Sequence, residues 1–568
     1  MIAVADAIVH TQSVNLRHAD GQPWAALRDG VAYGRYSAYG ILPSLLALPA
    51  SAISAVFAPR GSAAASDLTR LLASFINAPI TAATIACIAV LLNRSTLSRR
   101  ARVTTLCAAA LGSCLWPYAR SFFSEPLTAL LITASLTAAT ATPRTRASIL
   151  CAALCAGLLL PTRIAAVVAL PILAAAALWA APFRWRTLVG YAVGLLPGVA
   201  LWAAYNSARF GTPLASGYGT EASAFSTSLA VGLPGLLVSP GSGLVWYAPF
   251  VIAVPLGVRY WWGQQRTVVV ATLALVASHL LLYGMWDAWD GGGVWGPRFL
   301  VPVIPAALVV AAGVWAAPQR WLHRTALFVV CAGIVINTLG AAVNFSIDSN
   351  LQATTPPPIT HATILWQRIQ TSVLTPGSCR IESGWHPSEA PDGVLWQRSA
   401  GASTLSCSHP SAAVVRFFFD DRRPEEAPRS AFVLDSGPDQ YPIPNGTFRR
   451  VWLLTRAGTQ TYTVRSTPWN AHTLGLGPRD GELGPTLLAL SADPPLRTIH
   501  DASIAPMPSQ PRRRWAWYYE PTNHHRGDWW ASYLPATALA PWAPLIVAVW
   551  LCVVLGCLGA AWRSRQPT

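Results

Sequence analysis

Apolar positions along this 568-residue chain fall in unbroken runs of roughly 15 to 25 residues. Soluble proteins show instead the alternation of half-buried strands or the one-sided stripe of surface helices. A run of about 20 apolar residues is long enough to cross a hydrocarbon core about 30 Å thick. The pattern predicts spans at 69–93, 102–118, 124–141, 147–161, 163–182, 187–204, 244–259, 267–286, 299–316, 325–345 and 536–561, about eleven in all. The polar remainder is uneven. Most connections are short, whereas 346–535 is rich in Pro, Gly and Trp and carries strand-like alternation at Ala412–Phe419 and Arg449–Arg456. It is expected to form a β-rich or mixed domain, closed by the last span.

Charge orients the spans. The clusters Arg94/Arg99/Arg100/Arg102, Arg144/Arg146, Arg184/Arg186, Arg259/Arg266, Arg320/Arg324 and Arg563/Arg565 fall at every second connection. One threading therefore puts all six on the cytoplasmic side, as the positive-inside bias requires. The same parity decides two ambiguous segments. As one helix, 147–182 would be about 54 Å long at 1.5 Å per residue, so it reads as a hairpin broken at Pro161-Thr162-Arg163. The apolar stretch 41–58 reads as a Pro-interrupted interfacial segment. The fold expected is thus an α-helical polytopic membrane protein. It divides into a polar extracytoplasmic stretch 1–40, a transmembrane core 41–345, an extracytoplasmic domain 346–535, and a final span with basic tail 536–568.

Composition agrees. Hydrophobic residues make up 53% and charged residues 11%, against about 25% charged in soluble domains. The net charge of +16 comes from 40 basic residues, all arginine, placed between apolar runs. It is a topology signal, and with no RNA- or DNA-binding motif, nucleic acid is not an expected partner. Eight of the ten cysteines lie in apolar runs and behave as small buried hydrophobes. Cys379 and Cys407 alone lie in polar sequence, either as a disulfide or as two free thiols. No CxxC or His/Cys grouping marks a zinc site.

The polar motifs that carry chemistry all fall on the outer connections. WPYARSFFSEPL (Trp116–Leu127) places Arg120 and Glu125 at the membrane boundary. Ser-Glu-Pro is also ordinary helix-start chemistry, so Glu125 has a structural reading beside the catalytic one. Arg163 sits in the hairpin. YNSARFGTPLASGYG carries Tyr205, Asn206, Arg209 and Tyr218, and is followed by SPGSGLVWY (Ser239–Tyr247). WDAWDGGGVWGPRF carries Trp289, Trp295 and Arg298. Gly-rich loops with isolated arginines and indole rims suit a site for a phosphate and a sugar, since guanidinium forks and backbone N–H groups bind phosphate oxygens. Each string alone is equally a turn or an interfacial belt. Their convergence on one face is the stronger signal. The aromatic run Trp515, Trp517, Tyr518, Tyr519, Trp529 and Trp530 fits an interfacial belt better than a sugar platform.

The order FSEPL, an arginine after LLLPT, YN..RFG.PL..GYG, SPG.GL and W..W.GG..WGPRFL.P..P resembles bacterial GT-C glycosyltransferases, in the branch of protein O-mannosyltransferases and RgtA/B/C/D-like transferases. The resemblance covers about residues 1–345. It implies a GT-C-like bundle in the bacterial cytoplasmic (inner) membrane, with its active face extracytoplasmic and in contact with membrane lipid. The implied reaction moves a sugar from a polyprenyl-phosphate donor to a glycan, lipid or protein acceptor, with inversion. Glu125 is then the catalytic acidic residue. Arg163, Arg209 and Arg298 neutralise the departing phosphate, and Arg120, Tyr205, Asn206, Tyr218, Trp289 and Trp295 complete the substrate site. No cofactor is required by the resemblance, and a divalent metal is left open. Family members also carry an Asp-Glu pair after a first helix, at a place that would fall before Met1; Asp6, Asp20 and Asp29 do not align with it. Topology points the same way, because the polar stretch 1–40 needs a preceding apolar segment to cross. A twelfth, upstream helix bearing the acidic pair is therefore expected, without which the chain would be inactive. The rival readings are a transporter, for which His279 is the main mid-span ionisable residue, and a noncatalytic scaffold of envelope assembly.

Overall fold

The computed structural model describes residues 1–16, 27–57, 63–179, 184–218, 225–239, 242–289, 291, 294–342, 377–386 and 397–500, with short breaks at 411–412, 422, 425, 429–430, 438, 444–445, 477–480 and 494–495. The last span, 536–561, the aromatic run at 515–530 and Asp20 lie outside the described residues. The chain forms two compact units, Met1–Ala341 and Ala342–Thr568.

The first unit is almost entirely helical. Four of its helices are long and apolar enough to cross a membrane: Leu68–Asn93, Trp185–Phe210, Arg266–Gly284 and Arg320–Ala342. They mark the protein as membrane-associated. The other expected spans in this unit are helical too, but shorter or interrupted. The stretch 102–118 divides into Arg99–Ala110 and Leu115–Ala119, and 244–259 into Leu244–Tyr247, a 3-10 turn at Pro249–Ala253 and Val254–Gln264. Proline explains several of these breaks, because it lacks the N–H that continues a helix and fits best in a first turn. The expected hairpin break is present. The helix Leu159–Thr162 ends, and Arg163 adopts an extended conformation before the next helical segment starts at Ile164.

Two features extend the sequence reading, in which only Asp6 of the first stretch reads as helical. Residues 1–40 were expected as a polar connection, yet Ile2–Thr11 is an apolar helix, burying Val4 against Leu16, Ile41 and Tyr205. It is followed by a short antiparallel hairpin of β1 (Leu27–Asp29) and β2 (Arg35–Ser37). Asp6 on that helix accepts from Ser51, whereas Asp29 is exposed beside Arg35. Inside the connection 205–243 there is a further helix, Leu229–Val238. Helix packing rests on small residues. Gly190, Gly194 and Gly198 recur every fourth position on the helix Arg184–Phe210, and a Cβ at Gly198 would collide with the backbone of Gly157 on the neighbouring helix. Such small-residue stripes let backbones approach where burial in lipid supplies no hydrophobic drive.

The second unit is a two-sheet β structure, as the alternation of its sequence predicts. Its strands are β3 (Gly377–Ile381), β4 (Gln397–Arg398), β5 (Ala402–His409), β6 (Ala413–Asp421), β7 (Phe432–Ser436), β8 (Asp439–Ile443), β9 (Gly446–Thr455), β10 (Gly458–Arg465), β11 (Thr486–Asp493) and β12 (Leu496–His500). One sheet runs β12-β3-β5-β10-β7-β8 and the other β4-β11-β6-β9. Among the described residues all strand pairings in this unit are antiparallel except β12 with β3. Alternate residues face inward, so Phe417 and Phe419 of β6 meet Tyr462 of β10 and Phe432 of β7 in one buried core. On β11 the buried positions Leu487 and Leu490 break the alternation, because the register with β6 shifts between Leu487 and Ala489. Cys379 and Cys407 form a disulfide across β3 and β5.

Candidate functional site

The site is built where three chain breaks in the helical unit meet. Glu125 is the first residue of the helix Glu125–Ala139, with Pro126 behind it, so its carboxylate lies at the positive end of the helix dipole. Its side chain is 0% exposed. Arg163 occupies the extended break between helices, and Arg298 opens a single 3-10 turn after Pro297. Gly296, at φ +67°, turns the chain there and packs on Tyr247, holding Arg298 next to a buried core. Both guanidinium groups converge on one carboxylate oxygen. Arg163 Nη1 donates to Glu125 Oε1, and Arg298 Nε donates to the same oxygen at 2.5 Å. The other oxygen, Oε2, accepts a weak bond from Ser124 Oγ at 3.4 Å.

Aromatic rings enclose the cations. Phe299 lies 5.1 Å from the Arg163 guanidinium and 5.8 Å from that of Arg298. Phe123 faces Arg298 at 4.7 Å, and Tyr283 faces Arg163 at 5.6 Å while stacking on Phe299 at 4.3 Å. Ring faces stabilise cations and reduce the solvent that reaches them, so charge interactions here are stronger than at an open surface.

A cavity of about 60 Å³ opens beside the pair, lined by Arg163, Arg298, Arg209, Tyr205, Asn206, Tyr218, Ser124 and Trp202 among others. A single water needs about 10–15 Å³ by this measure, so the space admits a group of phosphate size. Arg209 reaches it from the helix Arg184–Phe210. It donates to the carbonyls of Ser37 and Tyr39 and, at 2.6 Å, to Asn206 Oδ1, and its guanidinium lies 3.7 Å above the Tyr205 ring. Asn206 Nδ2 in turn donates to Pro213 at 3.0 Å. Arg209 thus clamps the segment after β2 onto the cavity. Gly40 allows that approach, since a Cβ there would collide with the Pro161 carbonyl. Arg28 on β1 donates to Gly217 at 3.0 Å, which fixes the loop carrying Tyr218.

Seven of the ten residues singled out from sequence therefore come together: Glu125, Arg163, Tyr205, Asn206, Arg209, Tyr218 and Arg298. The remaining three do not line the cavity. Arg120 donates to the carbonyl of Ala341. Trp289 packs on Gly235, where a Cβ would collide with its indole. Trp295 is fully buried, 5.1 Å from Tyr247 edge to face, and donates to Asn337 at 3.2 Å. Sequence reasoning missed Trp202, Ser124 and the carbonyls of Ser37 and Tyr39. Trp202 sits mid-helix in an apolar run, where nothing local distinguishes it from a lipid-facing residue.

The charge balance decides what the site can do. Arg163 and Arg298 share one carboxylate, leaving one net positive charge, and Arg209 adds another that carbonyls and an amide solvate without neutralising. Among the described lining residues there is no further acid. Buried net charge is costly unless a counter-charge joins it, so the cavity is suited to an anion. Comparison with protein-family models, curated proteins and solved structures gives no match.

Proposed function

We propose that this protein is a membrane glycosyltransferase that takes a sugar from a polyprenyl-phosphate donor at the outer face of the bacterial inner membrane, in a bundle of about eleven spans. The acceptor is a hydroxyl of an envelope glycan, lipid or protein. The observation that carries the reading is the enclosed, net-positive cavity built on Glu125, Arg163 and Arg298. Its two arginines supply forked donors for a phosphate, and Tyr218 and Trp202 line the cavity with aromatic rings of the kind that cover a sugar.

In this reading the donor phosphate takes guanidinium contacts that now go to Glu125 Oε1. The freed carboxylate accepts the proton of the acceptor hydroxyl. The acceptor oxygen bonds to the anomeric carbon as the bond from that carbon to the phosphate oxygen breaks, with inversion. The electron pair leaves with the polyprenyl phosphate, whose growing charge Arg163 and Arg298 stabilise. Because these donors meet charge that develops in the transition state, each should matter more to rate than to donor affinity.

Inner-membrane vesicles that hold the protein together with envelope acceptors, given several labelled polyprenyl-phosphate sugars, are expected to transfer the sugar and release polyprenyl phosphate. Arg298→Ala should release none while inserting normally. Folded wild-type protein that releases none from any donor would sink the reading. The topology is tested separately by cysteine labelling. The connections bearing Arg144 and Arg184 should be reached only from the cytoplasmic side.

A further inference from the structure

Inward-facing positions of a β-sandwich are normally apolar, and β5 buries two polar residues, Ser403, whose hydroxyl is hydrogen-bonded, and His409. Ser403, Leu405, Cys407 and His409 are its buried alternate residues. His409 is only 2% exposed, and neither ring nitrogen has a hydrogen-bond partner among the described residues. An unpaired buried imidazole is destabilising by itself, so its retention asks for a reason. The flanking strands make room for it. Its pairing neighbour on β10 is Gly458, and the pairing of β5 with β3 runs on from Ser378 and Ser408 to bring Gly377 alongside. A Cβ at Gly377 would collide with His409 Nδ1. Two residues along the same faces lie Cys379 and Cys407, directly opposite each other. The two sulfur atoms and a ring nitrogen of His409 all lie within 4.8 Å of one another.

We propose that this cluster is a redox-gated metal site: reduction of the Cys379–Cys407 disulfide opens a buried Cys2His pocket for a thiophilic d10 cation, zinc(II) or copper(I). A dithiol supplies the two electrons and two protons. Its own sulfurs join as a disulfide, the Cys379–Cys407 bond breaks, and two thiols form. Binding of the cation by both sulfurs as thiolates releases those two protons, and His409 binds as the neutral ring. Thiolate and imidazole are the ligand types such ions favour. The disulfide form has no thiolates to offer, so the same residues hold the strands covalently when oxidised and through a metal when reduced. Zinc would neutralise the two thiolates; copper(I) is content with three ligands where burial excludes water as a fourth. The sequence carries the pattern as G-x-C at 377–379 and C-x-H at 407–409, two fragments whose meeting only the sheet register provides.

The test uses the intact protein in detergent. Free thiols are capped with an alkylating agent while the disulfide is intact. The protein is then reduced with a dithiol, desalted without oxygen, and titrated with cobalt(II), zinc(II) and copper(I). One equivalent per chain is expected after reduction and none before. Cobalt should show thiolate-to-metal charge-transfer absorption, and competition against it ranks zinc and copper. His409→Gln, whose disulfide is verified by peptide mapping before reduction, should bind at least about tenfold more weakly. Cys379→Ser with Cys407→Ser should not bind. Equal metal uptake before and after reduction would overturn the proposal. So would unchanged affinity and spectrum in His409→Gln, or a reduced wild type that loses amide protection on β5 and takes up no metal.

Discussion

The two units bury polar groups in opposite ways. In the helical unit, Glu125 is 0% exposed and takes two guanidinium partners on one oxygen. In the β unit, His409 is 2% exposed and takes none among the described residues. The first cluster keeps its charges and gathers more cation than anion. The second stays uncharged, because burial pushes the His409 imidazole down to about 4. The difference teaches what each site is prepared for. Retained, unbalanced charge suits a ligand that brings the missing sign, whereas a neutral imidazole suits a ligand that needs a lone pair.

The largest expected effect comes from removing the shared anchor. Glu125→Ala leaves the half-buried Arg163 and Arg298 side by side without their carboxylate, which should cost about 2–3 kcal/mol, below the range for a fully buried pair because both guanidinium groups keep some contact with solvent. Thermal unfolding in detergent would report it, and inorganic phosphate should restore part of the loss. Glu125→Gln keeps an acceptor oxygen and should lose less stability while abolishing transfer. Equal stability of all three proteins would remove the charged half of the comparison.

The neutral half predicts a pH dependence. His409 has its folded pKa lowered from an ordinary 6.5 to about 4. Between those values the unfolded chain binds the proton first, so stability falls as pH falls through this window. The contribution is complete above about 6.5, is lost on the way to about 4, and amounts to roughly 3 kcal/mol. Amide exchange on β5 and β10 of the intact protein should accelerate across that range in wild type and change much less in His409→Gln. A wild-type profile flat from pH 7 to pH 4 would contradict a buried neutral imidazole.

The smallest effect sharpens the ligand assignment. Arg298→Ala leaves Glu125 and Arg163 as a balanced pair, so of the two excess positive charges that favour an anion the cavity keeps only that of Arg209. Protection of the melting temperature by inorganic phosphate should then require at least about tenfold more phosphate, or roughly 1.4 kcal/mol of binding. Undiminished protection would move the anion site away from this arginine.

Much of this was legible from local pattern. The apolar runs identified helices, the break at Arg163 appeared where Pro161 and a charged residue interrupt one run, and alternation identified strands within 346–535. The polar motifs between apolar runs singled out Glu125, Arg163, Arg209 and Arg298, which the structure brings together. What failed was what local pattern cannot encode. Arg120 and Trp295 share the composition of site residues, but their partners, Ala341 and Asn337, lie more than forty residues away and draw them into packing. Asp6 read as a helix residue, but the packing of Ile2–Thr11 was not legible, because its short apolar face is completed by Leu16, Ile41 and Tyr205.

Residue type and spacing alone thus determined the membrane-associated, helical character of the first unit and the β character of the second, since hydrophobic periodicity is a property of neighbours in the chain. Tertiary structure decided that two arginines share one carboxylate, leaving a positive cavity, and that a histidine faces a disulfide through a gap made by glycine. Electrostatic balance and ligand geometry depend on groups brought together from remote positions, and that distance is set only when the chain has folded.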